Sequence, residues 1–557
     1  MKRFMPLLLL CSVCACSTPA YEALDRQARK EYLQPVRPGT EGRNPFWNGF
    51  AKKFIYAPAF GFPEADGAAQ YLFTLTQEGA DPVTFKADAP TADLSPVWDR
   101  LPCGNTTLTV DALDAGGAVL ARVGERSFLR DFPYEGPYPG PARDYREAAI
   151  RALLYVHTMP EIQHWAESTV PDMGYSHNTY PCKIIGATIR NECLVASMLP
   201  ERRENALAIA RNAAQFLLDQ SRPEDAPLAF FPPTYYLDRE ASKRDWNQGK
   251  TMTLEAASAG QAFLDLYDVT EEPAWLERAV GIGRTYVRLQ RPDGSLPIKV
   301  DFVTGEPVND VSAMLHPLLR YFLRLEGYGF PEFAAARELG ERWMDEVAVE
   351  TFDMTGQFED VNVKGLAPYQ NLTNCTAAPY ASYLLSKPAP SRRDLANADD
   401  LIRLSEDQFV HWAYPEKTAD GIYKRYAPCV HEQYKYEMPV DNSACNVSNA
   451  WLDQYAATGD LLPLAKAKAM VDQVTRMQNP VNGKIPTTWE WREAGKDRKR
   501  TFWVNCSLAS IQLLLRWKPH FRNKGNRHSG IGKPYFIALY CLICASWRKY
   551  SIRRSLK

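Results

Sequence analysis

The chain has 557 residues, 45% of them apolar, with 65 basic and 66 acidic side chains and a formal net charge of −1. That length allows two to four domains with sizeable cores. The charge balance excludes a chain that holds nucleic acid, or any strongly charged partner, by bulk electrostatics.

The first residues read as an address. Lys2 and Arg3 precede an apolar run from Met5 to Leu10, too short to span a bilayer, and Val13-Cys14-Ala15-Cys16 follows. This arrangement resembles the lipobox of bacterial lipoproteins, with Cys16 at the lipidated position. The resemblance implies a signal peptide over 1–15 and export from the cytoplasm. It also implies a lipid that anchors a soluble body to a membrane of the bacterial cell envelope, outer membrane or periplasm. A plain secretory signal is the alternative. Of 12 cysteines, Cys11, Cys14 and Cys16 belong to the signal and Cys541 and Cys544 to the tail. The seven others show no CxxC spacing and read as small buried residues, with one bridge between loops as an alternative.

Residues 16–44 are polar and read as a tether. Residues 45–132 read as a small antiparallel β-sandwich of about seven strands. Tyr71, Phe73 and Leu75 alternate with polar neighbours, as do Leu108, Val110 and Ala112, and turn signals stand at Asp66-Gly67, Gly104-Asn105 and Gly116-Gly117. The stretch Leu101 to Phe128 resembles the last strands of fibronectin type III-like modules of secreted bacterial enzymes. A Pro/Gly linker over 133–143 follows.

From Asp144 the period becomes helical. Asp144 with Glu147 three residues on is an acidic form of the capping box. The spacing predicts outer helices at roughly 144–167, 201–220, 271–290, 330–348, 395–413 and 461–478. Inner helices, richer in small residues, are predicted at roughly 183–198, 250–268, 309–326, 372–387, 443–458 and 501–518. Connections alternate long and short, so the long loops fall on one rim. Two of them share a pattern, Asp293-Gly294-Ser295-Leu296-Pro297 and Asn482-Gly483-Lys484-Ile485-Pro486. Six hairpins with these turns resemble the (α/α)6 toroid of six-hairpin glycosidases and several polysaccharide lyases, over residues 144–522. Residues 523–557 form an atypical basic and apolar tail.

The resemblance implies a carbohydrate-active enzyme whose site lies among the long loops. Aromatics, 12% of the chain, supply faces for sugar rings there as well as core volume. A hydrolase needs an acid and a base or nucleophile, both carboxyls. On that reading Asp360 or Glu359 is the acid, and Asp441 or Asp245 the base. Asp310 and Asp441 also read as helix caps. A uronate lyase needs a Tyr or His base and groups that neutralise a carboxylate, here Tyr180 and His431 with Asn178 and Arg425. A third reading is a noncatalytic glycan-binding lipoprotein. Substrate contacts are expected from His177, Asn178, Lys183, Tyr235, Trp246, Asn371, Arg425, Tyr434, Trp489 and Trp491. The sandwich-then-toroid order resembles several hydrolase families, which puts hydrolysis of a poly- or oligosaccharide first, uronic-acid-containing ones included. Nothing in the spacing calls for a cofactor or a metal.

Overall fold

Apolar positions recurring every three to four residues fold into helices that pair as hairpins. In the computed structural model, residues 19–37, 46–237, 244–359, 361–413, 424–425, 427–491 and 502–517 are described. A first helix, α1 (Pro19–Tyr32), precedes the pairs. The twelve that follow are α2 (Tyr145–His157) and α3 (Gly186–Met198), α4 (Arg203–Asp219) and α5 (Glu255–Thr270), α6 (Pro273–Leu289) and α7 (His316–Gly327), α8 (Phe333–Trp343) and α9 (Asn374–Leu385), α10 (Arg392–Phe409) and α11 (Asp441–Thr458), and α12 (Leu461–Met477) and α13 (Val504–Arg516). Odd-numbered helices from α3 onward form an inner ring, and even-numbered ones an outer ring.

The ring closes. Each inner helix touches the next, and α13 touches α3. Each inner helix also packs on the outer helix that follows it, and α13, with no successor among these helices, packs on α2. The fold is therefore mainly α, an (α/α)6 toroid. Inner helices are buried over most of their surface, as a helix enclosed by neighbours must be. Small residues allow the crowding: a Cβ on Gly260 of α5 would lie 2.3 Å from the Tyr321 hydroxyl of α7.

The two similar turns do the same job on opposite sides of the ring. Gln290 caps α6, and its amide donates to the carbonyls of Gly294 and, on the next outer helix, Ala336, both at 2.9 Å. Gln478 caps α12 and donates at 2.8 Å to Gly483 and to Ala148 of α2, which is the next outer helix once the ring has closed. Gly294 and Gly483 have φ of +92° and +81°. A Cβ would meet backbone oxygen at 2.3 Å (Leu339) and 2.6 Å (Arg151) respectively. Both reasons demand glycine.

The β region precedes the toroid. Strands β1 (Lys53–Phe54), β2 (Ala59–Gly61), β3 (Gln70–Thr76), β4 (Val83–Ala87), β5 (Thr91–Asp93), β6 (Gly104–Leu113) and β7 (Val119–Arg130) give a five-stranded sheet ordered β1-β7-β6-β3-β4 and a β2–β5 ribbon. Phe60 of the ribbon packs against Phe54 and Phe128 of the sheet, making a small second layer. The pairing is antiparallel except for β1 with β7, which is parallel. Alternation along β3 and β6 buries Phe73, Leu75, Leu108, Val110 and Ala112, as expected.

The segment expected as a tether differs. Residues from Pro19 form α1, which buries Ala28 and Tyr32, and α1 packs on α12. The buried Glu406 of α10 holds it. Its carboxylate accepts from Tyr32 (2.9 Å), Tyr56 (3.1 Å), Trp412 (3.0 Å) and Lys466 (2.7 Å). Beside it, Asp407 accepts the backbone N–H groups of Ile55 (2.6 Å) and Tyr56 (2.8 Å). Polar composition marked the exposed face of this helix, and its partners lie some 370 residues away in sequence.

Asp144 caps α2 as expected, accepting from the N–H groups of Arg146 and Glu147. Asp310 caps nothing: α7 begins at His316, and Asp441 is the first residue of α11, not its cap. The Cys16 lipobox and the C-terminal tail lie outside the described residues. Among the described residues no helix is long and apolar enough to cross a membrane, and no two of the seven body cysteines are joined in a disulfide.

Gly483→Ala should lower the stability of the full chain by more than about 2 kcal/mol, from forced φ plus collision with the Arg151 carbonyl. Gly459→Ala shares the positive φ (+75°) but has open space around it, so about 1 kcal/mol is expected there. Thermal midpoints of the two variants compare them directly, and equal shifts would refute the close-approach argument.

Candidate functional site

All six inner helices present their N-terminal ends to one end of the ring, where the long loops lie. The loops zip to their neighbours there. Lys250–Met252 pairs with Lys299–Asp301, Cys429–Gln433 with Val410–His411 and Tyr436–Pro439, and single bridges join Thr373 to Gln433 and Val440 to Thr488. They enclose a cavity of about 650 Å³ lined from every hairpin: Tyr180 and Lys183 before α3, Glu255 on α5, His316 on α7, Gln357 and Glu359 before α9, Glu432 and Tyr436 before α11, and Trp503 and Asn505 at α13.

Three carboxyls, Glu255, Glu359 and Glu432, face this space, and the first stands at a helix N-terminus whose partial positive charge favours it. Glu255 is the first residue of α5. Glu359 lies on a segment pinned from several sides. Gln357 accepts from the Met314 N–H (2.9 Å) and donates to the Ser312 carbonyl (2.8 Å). Tyr235 donates its hydroxyl to the Glu359 carbonyl. Lys299, fully buried, donates to Asn247 Oδ1 (2.5 Å) and to the Val361 carbonyl (2.8 Å). Glu432 follows the buried Cys429, Val430 and His431 on its strand.

Lys183 organises the charges. Residues Pro181–Ile185 make one π-type turn ahead of α3, which carries Lys183 into the cavity. Its ammonium lies 2.8 Å from Glu359 Oε2 and 4.9 Å from the centre of the Trp503 ring. Behind Trp503, His177 stacks at 3.9 Å. Burial alone would raise the pKa of Glu359, but the charge and hydrogen bond of Lys183 outweigh it and hold the group below the usual carboxylate range. Glu255 receives less of that help. Burial pushes it up, Lys183 opposes, Glu359 adds repulsion, and the balance stands at about 7. Burial would lower Lys183, yet Glu359 and Glu255 together lift it above its ordinary value. One carboxyl is thus held ionised, and its neighbour holds a proton close to neutrality, a pairing that suits acid–base chemistry.

The expected residues distribute unevenly. Glu359, Tyr180 and Lys183 line the cavity, and Tyr235 supports it. Asp441 is fully buried just beneath, accepting from Ser510 at 3.2 Å, with burial pushing its pKa up. Asp245 is exposed outside the cavity, and Trp246, 38% exposed, lies under the Arg244 guanidinium. His431 turns away from the cavity to His411, 4.2 Å between ring centres. Asn178 is buried and donates to the Asp172 carbonyl, while Asn371 ties Gln433 to Lys435. Tyr434 donates to Gln408 near the β region, and Trp489 is core. Asp360 and the side chains of Arg425 and Trp491 lie outside the described residues.

Glu255, His316 and Trp503 were not singled out by sequence reasoning. Glu255 reads as an ordinary acidic first-turn residue. The signal that finds it is positional, since it opens an inner helix on the rim where every long loop ends.

No family model matches this chain, and no curated protein matches it in sequence. Solved structures resemble it at low identity. An α-mannanase of glycoside hydrolase family 76 from Bacteroides thetaiotaomicron is 12% identical, with 67% of this chain and 95% of that one covered and a TM-score of 0.46. A D-mannose isomerase is 11% identical, with 67% and 96% covered and a TM-score of 0.48. An unsaturated glucuronyl hydrolase specific for heparin is 10% identical, with 67% and 96% covered and a TM-score of 0.43. Likenesses of this size say nothing about the substrate or reaction of this chain.

The raised pKa of Glu255 has a stability consequence. Between the ordinary carboxylate value of 4.5 and about 7, the folded chain binds a proton at Glu255 that the unfolded chain has lost. Stability from this group is therefore full below 4.5 and is lost as pH rises through about 7. Glu255→Gln stays neutral, so its thermal midpoint should gain on that of the wild type as pH is raised across this interval. A constant difference across the interval would refute the shift.

Proposed function

We propose that this chain is a carbohydrate-active enzyme, a glycoside hydrolase that cleaves a poly- or oligosaccharide, with Glu255 as proton donor and Glu359 as base or nucleophile. The observation that carries the reading is the pair itself: two carboxyls on one cavity, with a lysine that bonds Glu359 directly and holds its pKa down while Glu255 is left raised to about 7. In the reaction, Glu255 gives its proton to the glycosidic oxygen as the C1–O bond opens. Glu359 either takes a proton from the water that adds to C1 or bonds to C1 until water releases the sugar. Trp503, Tyr180 and Tyr436 supply aromatic wall. Lys183 and Arg244 on the lining favour a sugar that carries acidic groups. A lipid on Cys16 would keep this activity at the bacterial envelope membrane, against glycans outside the cytoplasm.

A lyase of the expected kind would need Tyr180 and His431 converging on one sugar, and only Tyr180 lines the cavity. Lyase products absorb near the ultraviolet edge, hydrolase products do not, and polysaccharides assayed for both absorbance and new reducing ends separate the two reactions.

The roles of the two glutamates separate on leaving groups. Glu359→Gln should cost about 10²- to 10⁴-fold in kcat on both natural glycans and 4-nitrophenyl glycosides. Glu255→Gln should cost as much on glycans and far less on 4-nitrophenyl glycosides, whose leaving group departs without a proton. The kcat/KM profile of the wild type on glycans should fall on the alkaline side near pH 7, where Glu255 loses its proton, and Glu255→Gln should remove that limb. Full activity of both variants on glycans would refute the assignment.

A further inference from the structure

His316 opens α7 and lines the cavity, one hairpin on from Glu255, which opens α5. Its Nδ1 is shut off from solvent and has no hydrogen-bond partner. The part of the ring that reaches the cavity is therefore the opposite edge, which carries Nε2. A neutral imidazole has one N–H, and its position follows from what surrounds Nδ1. A proton there would be a buried donor with no acceptor, a rarer and costlier defect than a buried lone pair. The ring stays uncharged: burial, then Arg320, depress its pKa to about 3.

We infer that His316 is a neutral hydrogen-bond donor to the substrate, its Nε2–H directed at a hydroxyl of the sugar held beside Glu255. This rests on the hydrolase reading for the identity of the ligand, but not for the state of the ring. A donor fixed in this form differs from Lys183 and Arg244. It accepts a neutral sugar oxygen without demanding a charge, and it does not change with pH across the range in which Glu255 titrates. It also cannot act as a proton shuttle, which leaves acid catalysis to Glu255.

Two measurements test this on the full chain. In long-range ¹H–¹⁵N correlation spectra of ¹⁵N-histidine protein, the signals lost in His316→Gln identify the residue. They should show the Nε2–H tautomer, unchanged between about pH 5.5 and 8; an Nδ1–H tautomer, or titration in that range, overturns the inference whether or not any glycan is cleaved. On a 4-nitrophenyl glycoside that the wild type cleaves, His316→Ala should lower kcat/KM about three- to tenfold, the worth of one neutral hydrogen bond. His316→Gln places an amide N–H close to the Nε2 position and should recover more than His316→Asn, whose amide falls near Nδ1. Equal activity of the three variants, or better recovery with Asn, overturns the inference. Failure of every glycoside to turn over would sink the hydrolase reading and leave the spectra to decide the state of His316.

Discussion

Closure of the ring is the constraint from which the rest follows. Six hairpins in a row would leave one inner and one outer face bare. Here α13 covers both gaps by packing on α3 and α2, and Gln478 repeats across the seam the bond that Gln290 makes elsewhere in the ring. Once closed, the ring forces the inner helices to run the same way, so six N-termini meet at one end. Six sets of unsatisfied N–H groups make that end electropositive. Carboxyls are stabilised there, and the long loops that carry the chain back to each inner helix have nowhere to go but around them. The cavity is a consequence of topology before any particular residue is considered.

Within the cavity one lysine decides the chemistry. Two glutamates at this depth are both pushed upward by burial. Lys183 breaks the tie because it bonds Glu359 directly and reaches Glu255 only through space. The same ammonium covers one approach to Trp503, so the tryptophan shields the pair from water more than it offers a free stacking face. Tyr436, 40% exposed on the lining, is the better platform for a sugar ring.

Much of the architecture was legible in the sequence because hydrophobic period and turn chemistry are local. The alternation of long and short connections located the rim, and Gly294 and Gly483 announced a repeated turn whose reason is now visible in the backbone each one touches. The site was legible as a side of the molecule but not as a set of residues. Loop residues such as His431 and Asn371 looked chemical and proved to face other loops, because strand alternation within a loop decides which neighbour points inward: Glu432 does and His431 does not. Conversely Glu255 looked like a helix-start residue, and its importance depends on Lys183 and Glu359, 72 and 104 residues away by subtraction of their numbers. The docked helix α1 was missed for the same reason, since its partners lie on α10 and α12.

The β region bears on the site through one wall. Asp131, at the end of β7, binds Lys53 at 2.9 Å and His411 at 2.8 Å, and Lys53 also donates to the Val410 carbonyl at 2.6 Å. Burial would raise the Asp131 pKa, but Lys53 and the hydrogen-bonded His411 hold it well below the usual carboxylate range. His411 and His431 then meet ring to ring at a 45° tilt, and their strands pair. The next residue is Glu432, the third carboxyl of the cavity. A buried charge cluster that loses a partner is strongly destabilised, so this chain of contacts resists sliding of the β region over the toroid. It follows that the β region braces the Glu432 wall, whereas the Glu255–Lys183–Glu359 group is built wholly from toroid hairpins and is fixed by the ring itself.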